Sequence, residues 1–275
     1  MHQQTTIANT VAHTGIGLHS GCEVTIRLQP APADTGLVFV RTDLPGNPKI
    51  PAVSDSVTST MRATTIGNNE VKVFTIEHLL SAFHVLQVDN CFIEINAEEP
   101  PVTDGSSLVF FDLIKQAGLQ QQDKLRREIV IDKVYRIDDG DRFVMVVPYD
   151  GFRVSFTSLN PHKLIGVQYE DFIIDEEIYH REIAPARTIA YEQEIEALKN
   201  MGLGLGGTME SVIVYNDKGW LNKLRYEDEL VRHKILDVIG DLRLAGIIRG
   251  HVIAVKSGHA LNALLAKKIA TEFAK

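Results

Sequence analysis

At 275 residues, 44% of them hydrophobic, the chain is long enough to bury a substantial core as one large domain or two modest ones. Its net charge of -8 disfavours a general nucleic-acid binder, which needs clustered Lys and Arg, and no apolar run approaches the roughly 18 residues of a membrane-spanning helix. The only cysteines, Cys22 and Cys91, lie far apart and form no CxxC pair, so neither a disulfide framework nor a thiolate zinc site is suggested and any metal would need His and carboxylate ligands.

From the N-terminus, MHQQTTIANT has no basic stretch leading into an apolar core, so no secretory signal is read and a cytoplasmic location is expected. CEVTIRLQPA and GLVFVRTD alternate polar and apolar residues and predict strands, with PADTG and LPGNP as breaks. Then the period changes. In TIEHLLSAFHVL, Ile76, Leu79, Leu80, Phe83 and Leu86 fall at helical spacing, with Thr75 in the N-cap position. A strand CFIEINA, the turn-rich EEPPVTDGSS and a second helix LVFFDLIKQAG follow. LQQQDKLRR, residues 119–127, is polar with no apolar period and reads as a linker.

Beyond it, EIVIDKVYRI, RFVMVVPY and RVSFTSL read as strands, YEQEIEALKNMG as a helix, GLGLGG as a loop and SVIVYN as a strand. RHKILDVIGDL and ALNALLAKKIATEFA read as the last helices. Each half runs strands first and helices afterwards, which predicts two α+β domains of similar plan, residues 1–120 and 128–275.

In RHKILDVIGDL, His233, Asp237 and Asp241 recur at every fourth position. A helix advances about 100° per residue, so they form a row along one face, opposite Val231, Ile235, Val238, Ile239 and Leu242. Side chains four apart can converge on one ion, which makes His233 and Asp237 candidate metal ligands; the same pattern also describes a solvated amphipathic face. In TIEHLL, Glu77 and His78 stand side by side near a helix start. A catalytic zinc takes three protein ligands and a nearby base, roles open to His78 and Glu77, although an anion near the helix dipole beside a partly buried imidazole gives the same text. His259 in KSGHALN, oriented by a carboxylate such as Asp241, fits a protonated acid for a leaving amine or a His that simply packs at a helix start. GLGLGG, residues 202–207, lacks the Lys-Ser/Thr pair of a phosphate loop and is a tight turn after a helix. His2, His13, His84, His162, His180 and His251 have no ligand-like spacing and are read as structural or surface residues.

Taken in order, HTGIGLHSG, TIEHLLSAFHVLQVDNCFIEI, PVTDGSS, ARTIA, GLGLGG, LRYEDELVRHKILDVIGDL and KSGHALN, spread over about residues 5 to 270, resemble the signature blocks of the UDP-3-O-acyl-N-acetylglucosamine deacetylase family, the zinc-dependent deacetylases of lipid A biosynthesis. The resemblance implies a β-α-α-β sandwich of two domains whose helix layers face each other, with the active site between them. It also implies Glu77 as base, His78, His233 and Asp237 as ligands of Zn2+, with Fe2+ as the alternative ion, and His259 supported by Asp241 as acid. Thr188 matches the oxyanion-stabilising threonine and Lys234 the substrate-binding lysine. An inserted unit at about residues 188 to 214 corresponds to a passage for the acyl chain, with Tyr191, Ile195, Thr208, Val212 and Val214 as lining residues.

The implied substrate is a UDP-linked acylated amino sugar, with no nucleic-acid partner, no stable membrane insertion and a monomer as the working expectation. Two other readings compete: an amidohydrolase for a different N-acetylated sugar, and a non-catalytic binding protein, against which the complete set of site residues stands. Two positions depart from the family pattern. Ile189 and Ala190 follow Thr188 where many members have Phe-Gly, and near Leu159, after Phe156, the aromatic that stacks on uracil is missing.

Overall fold

The computed structural model describes residues 2–163 and 165–274. In chain order the first half contains β1 (Gln3–Ile7), β2 (Val11–Ile16), β3 (Glu23–Pro30), β4 (Leu37–Arg41) and β5 (Lys49–Pro51), then the short strands β6 (Val57–Ser59), β7 (Thr65–Gly67) and β8 (Lys72–Val73), then α1 (Glu77–Val85), β9 (Cys91–Ile95) and α2 (Leu108–Ala117). After β10 (Leu119–Leu125) come β11 (Ile129–Val130), β12 (Tyr135–Asp139), β13 (Arg142–Val147), β14 (Phe152–Leu159), β15 (Val167–Ile173) and a short α3 (Glu176–Ile178) that runs into a π turn. The rest is β16 (Thr188–Tyr191), α4 (Glu192–Asn200), β17 (Val212–Asn216), β18 (Gly219–Trp220), α5 (Glu229–Leu242), β19 (Ile248–Val255) and α6 (His259–Phe273).

Two large sheets share no strand. One has the order β2-β3-β9-β4-β5; the other runs β12-β13-β19-β14-β15, with β11 also paired to β19. In each a parallel pair, β4 with β9 and β14 with β19, lies among antiparallel neighbours. Strand periodicity explains which side is covered: Val24, Ile26 and Leu28 of β3, and Ile248, Val252 and Ala254 of β19, alternate inward. Helices cover the inner faces, α2 against β2, α5 against β14 and β15, α6 against β12 and β13, and α1 packs directly on α5. The expected α+β plan of sheet, helices, helices and sheet is therefore present. No helix among the described residues is long and apolar enough to cross a membrane.

Ile76, Leu79, Leu80 and Phe83 of the α1 segment and Val231, Ile235, Val238, Ile239 and Leu242 of α5 are all fully buried, each contributing on the order of 2 kcal/mol by burial. The opposite face of α5 is not solvated as an amphipathic pattern alone allows. His233, Asp237 and Asp241 are buried too, because α1 lies across them. The close approach is permitted by Gly240, where an added Cβ would fall 2.0 Å from the Glu77 carbonyl oxygen and 2.9 Å from its Cα.

Three local expectations are corrected. Residues 119–125 are not an irregular linker but form β10, antiparallel to β1. Backbone pairing and a ladder of amides hold this polar ribbon: Asn90 Nδ2 donates to Gln122 Oε1 (2.7 Å) and Gln122 Nε2 to the Ala31 carbonyl (2.8 Å), so it needs no apolar period. Thr75 does not cap α1. It lies in the left-handed region at φ 55°, a strained conformation for a β-branched residue, with its hydroxyl 3.5 Å from Glu99 Oε2, while Ile76 holds the cap position without a side-chain bond. Finally β15, β16 and the central strand β19 lie in text that the periodicity left unassigned; in β19 the inward position 250 is a glycine, which carries no apolar signal, and Ile253 and Val255 are apolar at outward positions.

An alanine in place of glycine ordinarily strengthens a helix, but at position 240 the methyl would collide with backbone. Gly240→Ala is expected to lower stability by about 1–3 kcal/mol, as overpacking does. Urea unfolding at equilibrium measures this, and an unchanged or raised midpoint would remove the contact from the account.

Candidate active site

The crossing of α1 and α5 sets side chains from distant sequence face to face. His78 comes from the first turn of α1, and His233 and Asp237 stand one turn apart on α5. Asp237 Oδ1 lies 3.4 Å from His233 Nε2 and 3.9 Å from His78 Nε2, and the imidazole rings meet edge to face with centroids 5.0 Å apart. The three candidate donor atoms fall within 4.8 Å of one another, and all three residues are buried. His233 Nδ1 donates to the Ala186 carbonyl (3.0 Å), which leaves Nε2 with its lone pair toward the cluster. Burial pushes both imidazoles toward the neutral form, His78 to about 3.

Asp237 supplies the test of whether a cation fits. Its Oδ2 accepts from Lys234 Nζ (2.6 Å), but its buried Oδ1 has no hydrogen-bond partner. Burial alone would raise this carboxyl, yet His233 and Lys234 hold it well below the usual carboxylate range. A buried, ionised oxygen without a donor is costly, and here it faces two imidazole nitrogens. Two nitrogens and one carboxylate oxygen, with no fourth residue in this group among the described residues, are a donor set that suits an open divalent-metal site.

Glu77 and His259 flank this cluster. Glu77 Oε2 accepts from the Thr64 amide (3.2 Å), and its Oε1 lies 3.8 Å from His259 Nε2. Burial raises the Glu77 carboxyl to about 7 against the pull of His259. His259 starts α6 and donates from Nδ1 to Asp241 Oδ2 (2.9 Å). Burial works against its protonation, but Asp241 and Glu77 outweigh it and raise the imidazole to about 10.

On the other side, a buried pair anchors the segment that holds His233. Arg187 donates through its amide and Nε to Glu229 Oε1 (3.0 and 2.9 Å), tying the start of β16 to the start of α5. That fixes Ala186, whose carbonyl orients His233, and Thr188, which lies on the wall of the adjoining cavity. The cavity has a volume of about 630 Å³ and is lined by Glu77, His78, His233 and His259 together with residues of β16, α4, β17 and the loops around Leu18 and Gly204.

Of the expected passage residues, Ile195, Thr208, Val212 and Val214 line this cavity, and Thr188 and Lys234 join them. Tyr191 is not among its lining residues. In β16 it pairs with Tyr215, stacks on that ring at 4.9 Å and donates its hydroxyl to Asp217, while Ala190, one position earlier, faces the cavity side with Val214. Leu18, Leu198 and Met209 also line the cavity, and sequence reading missed them. Only Leu198 carried a signal, three positions after Ile195 on α4. Ile189, at one of the departures from the family pattern, is a wall residue as well. Phe156 is a core residue at 1% exposure and offers no face for stacking, whereas Leu159 is exposed. The GLGLGG loop packs as a tight turn: Gly206 donates to the Leu18 carbonyl (3.0 Å), and a Cβ on it would lie 2.1 Å from the Gly17 oxygen.

Comparison with known proteins agrees with this arrangement over nearly the whole chain. The model of the family described as UDP-3-O-acyl N-acetylglycosamine deacetylase matches residues 4–271. A protein of Anaeromyxobacter dehalogenans (strain 2CP-C) is 43% identical over 269 residues, 97% of this chain and 87% of the relative, and one of Hahella chejuensis (strain KCTC 2396) is 43% identical over 277 residues, 99% and 92%. Both are named UDP-3-O-acyl-N-acetylglucosamine deacetylase. With the buried His, His and Asp cluster, its flanking Glu and His, and a match that runs almost from end to end, the chain belongs to the UDP-3-O-acyl-N-acetylglucosamine deacetylase family.

Proposed function

We propose that the protein hydrolyses the N-acetyl group of UDP-3-O-(3-hydroxyacyl)-N-acetylglucosamine, releasing acetate and the free amine, a committed step of lipid A biosynthesis. The observation that carries this reading is the donorless Asp237 Oδ1 beside two imidazoles on the lining of a mostly apolar cavity, with the Glu77 carboxyl and the His259 imidazole on the same lining. His78, His233 and Asp237 would hold a divalent ion, Zn2+ in our reading, with Fe2+ as the alternative. Bound there, the ion supplies Lewis acidity to the amide carbonyl and makes water more acidic.

The chain's own groups do the rest. Glu77 accepts a proton from the water that attacks the acetamide carbon. The Thr188 hydroxyl donates to the carbonyl oxygen as negative charge builds on it. His259, held protonated and aimed by Asp241, gives its proton to the glucosamine nitrogen as the C–N bond breaks, and acetate leaves. Lys234 and the walls formed by Ile195, Thr208, Val212 and Val214 bind the rest of the substrate, the latter taking its acyl chain. In this reading residues 1–120 and 128–275 are two units that each bring part of the site, with the passage inserted at about residues 188 to 214.

Glu77→Ala is expected to keep its metal but turn over roughly 10²-fold more slowly or worse, as lost acid-base help does. Steady-state rates with metal analysis on the same sample decide it; near-normal turnover removes Glu77 as the base. His233→Ala should instead lose metal, and one stoichiometric equivalent retained after dialysis strikes it from the ligand set. Substrate lacking the 3-O-acyl chain should lose at least about tenfold in kcat/KM, since a buried chain adds about 0.8 kcal/mol for each methylene. Equal rates with and without the chain would favour an amidohydrolase of simpler acetylated sugars.

A further inference from the structure

Thr64 belongs to none of the signature blocks, yet it touches both catalytic carboxyl groups of the proposed reaction. It precedes β7 and is fully buried. Its hydroxyl donates to Asp241 Oδ1 (2.5 Å) across 177 positions of sequence, and its amide donates to Glu77 Oε2 (3.2 Å). On the other oxygen, Asp241 Oδ2 accepts from His259 Nδ1 (2.9 Å) and Asn262 Nδ2 (2.8 Å), and Asn262 Oδ1 in turn accepts from Ser257 Oγ (2.6 Å). Asp241 has no exposed surface.

We propose that Thr64 is a positioning residue that fixes the base and the acid relative to each other, its amide aligning Glu77 and its hydroxyl locking the Asp241 carboxylate that aims His259. The proposal rests on the roles assigned above to Glu77, Asp241 and His259. Its physical basis is rotational. The terminal torsion of an aspartate is broad, so donors on one oxygen alone leave the carboxylate plane free to swing. A donor on the second oxygen fixes that plane, and with it the direction of the His259 ring, whose Nε2 stands 3.8 Å from Glu77 Oε1. Groups that exchange a proton with one substrate must hold their separation closely, and small misplacements are expensive in rate. One buried residue serving both carboxyl groups makes that separation a property of a single point in the backbone.

Valine at this position keeps the shape and the amide of threonine, so Thr64→Val removes only the bond to Asp241. In the purified, metal-loaded enzyme kcat should fall about tenfold or more while KM stays within about twofold and metal content is unchanged. Thr64→Ser, which keeps the hydroxyl, should recover most of the rate. In a His259→Gln background, where the route through the imidazole is already gone, Thr64→Val should cost less than about threefold. Parental kcat in Thr64→Val, an equal loss in both backgrounds, or no recovery by serine would overturn the proposal. If the valine variant does not fold, Thr64→Ala against Thr64→Ser, in both backgrounds, carries the same comparison, with a cavity that admits water in place of the methyl. Glu77→Gln and His259→Gln alone separate the two levels: near-normal turnover in both means that the reaction is misassigned, whereas crippled turnover in both beside a fully active Thr64→Val rejects only the role of Thr64.

Discussion

The Glu77 carbonyl would stand 2.0 Å from a Cβ at position 240, so at this point α1 and α5 meet backbone to backbone with no side chain between them. Interhelical distances are otherwise set by the side chains at the contact, commonly 8–10 Å. The close approach brings His78 within 3.9 Å of Asp237 and sets Glu77 beside the acid that Asp241 holds. A wider crossing would leave two half-sites, one on each helix, with nothing to share. Glycine at the crossing therefore determines where the chemistry can be.

The same packing obliges the protein to bury charge. Glu77, Asp237 and Asp241 are at most 3% exposed, and charges taken from water must be met by partners. Lys234 meets one oxygen of Asp237; Thr64, Asn262 and His259 meet Asp241; the Thr64 amide meets Glu77. Asp237 Oδ1 is buried without a donor, and it lies closest to the two imidazoles. In this cluster the carboxylate oxygen left without a donor is the one that faces two imidazole nitrogens, which is where a cation fits. Farther out, the Arg187 and Glu229 pair holds the segment that steadies His233, so the ligand geometry depends on residues well outside the cluster.

Much of this was legible in the sequence. The four-residue rhythm of His233, Asp237 and Asp241 put them on one side of a helix, and the apolar stripe of Val231, Ile235, Val238, Ile239 and Leu242 is buried as read. What the rhythm cannot encode is that α1 would cover the polar side; the three-ligand rule left the joining of His78 to that row as one open reading, and the resemblance favoured it. Tyr191 was lost for a different reason. It closes β16 at the start of α4, where its ring stacks on Tyr215 and its hydroxyl is held by Asp217, so its side chain leaves the cavity although Thr188, Ile189 and Ala190 before it all line the wall. Residues 119–125 escaped because an edge ribbon held by amides and backbone has no apolar period, and Thr64 because its two bonds are wholly long-range.

The reach of those contacts also bears on how the protein comes to be active. The parallel pairing of β14 with β19 joins Phe152 to Gly250, and the ligand set joins residue 78 to residues 233 and 237. Contacts between residues so far apart close slowly, after local helices and hairpins have formed. On a growing chain His78 is made long before its two partners, and the three donors meet only once α5 has packed on α1. A divalent ion held by the proposed set would therefore bind only at the last stage of folding and would stabilise that crossing in return. In the proposed reaction such binding would double as a checkpoint on assembly, since a chain that has not closed this helix pair has not brought His78, His233 and Asp237 together.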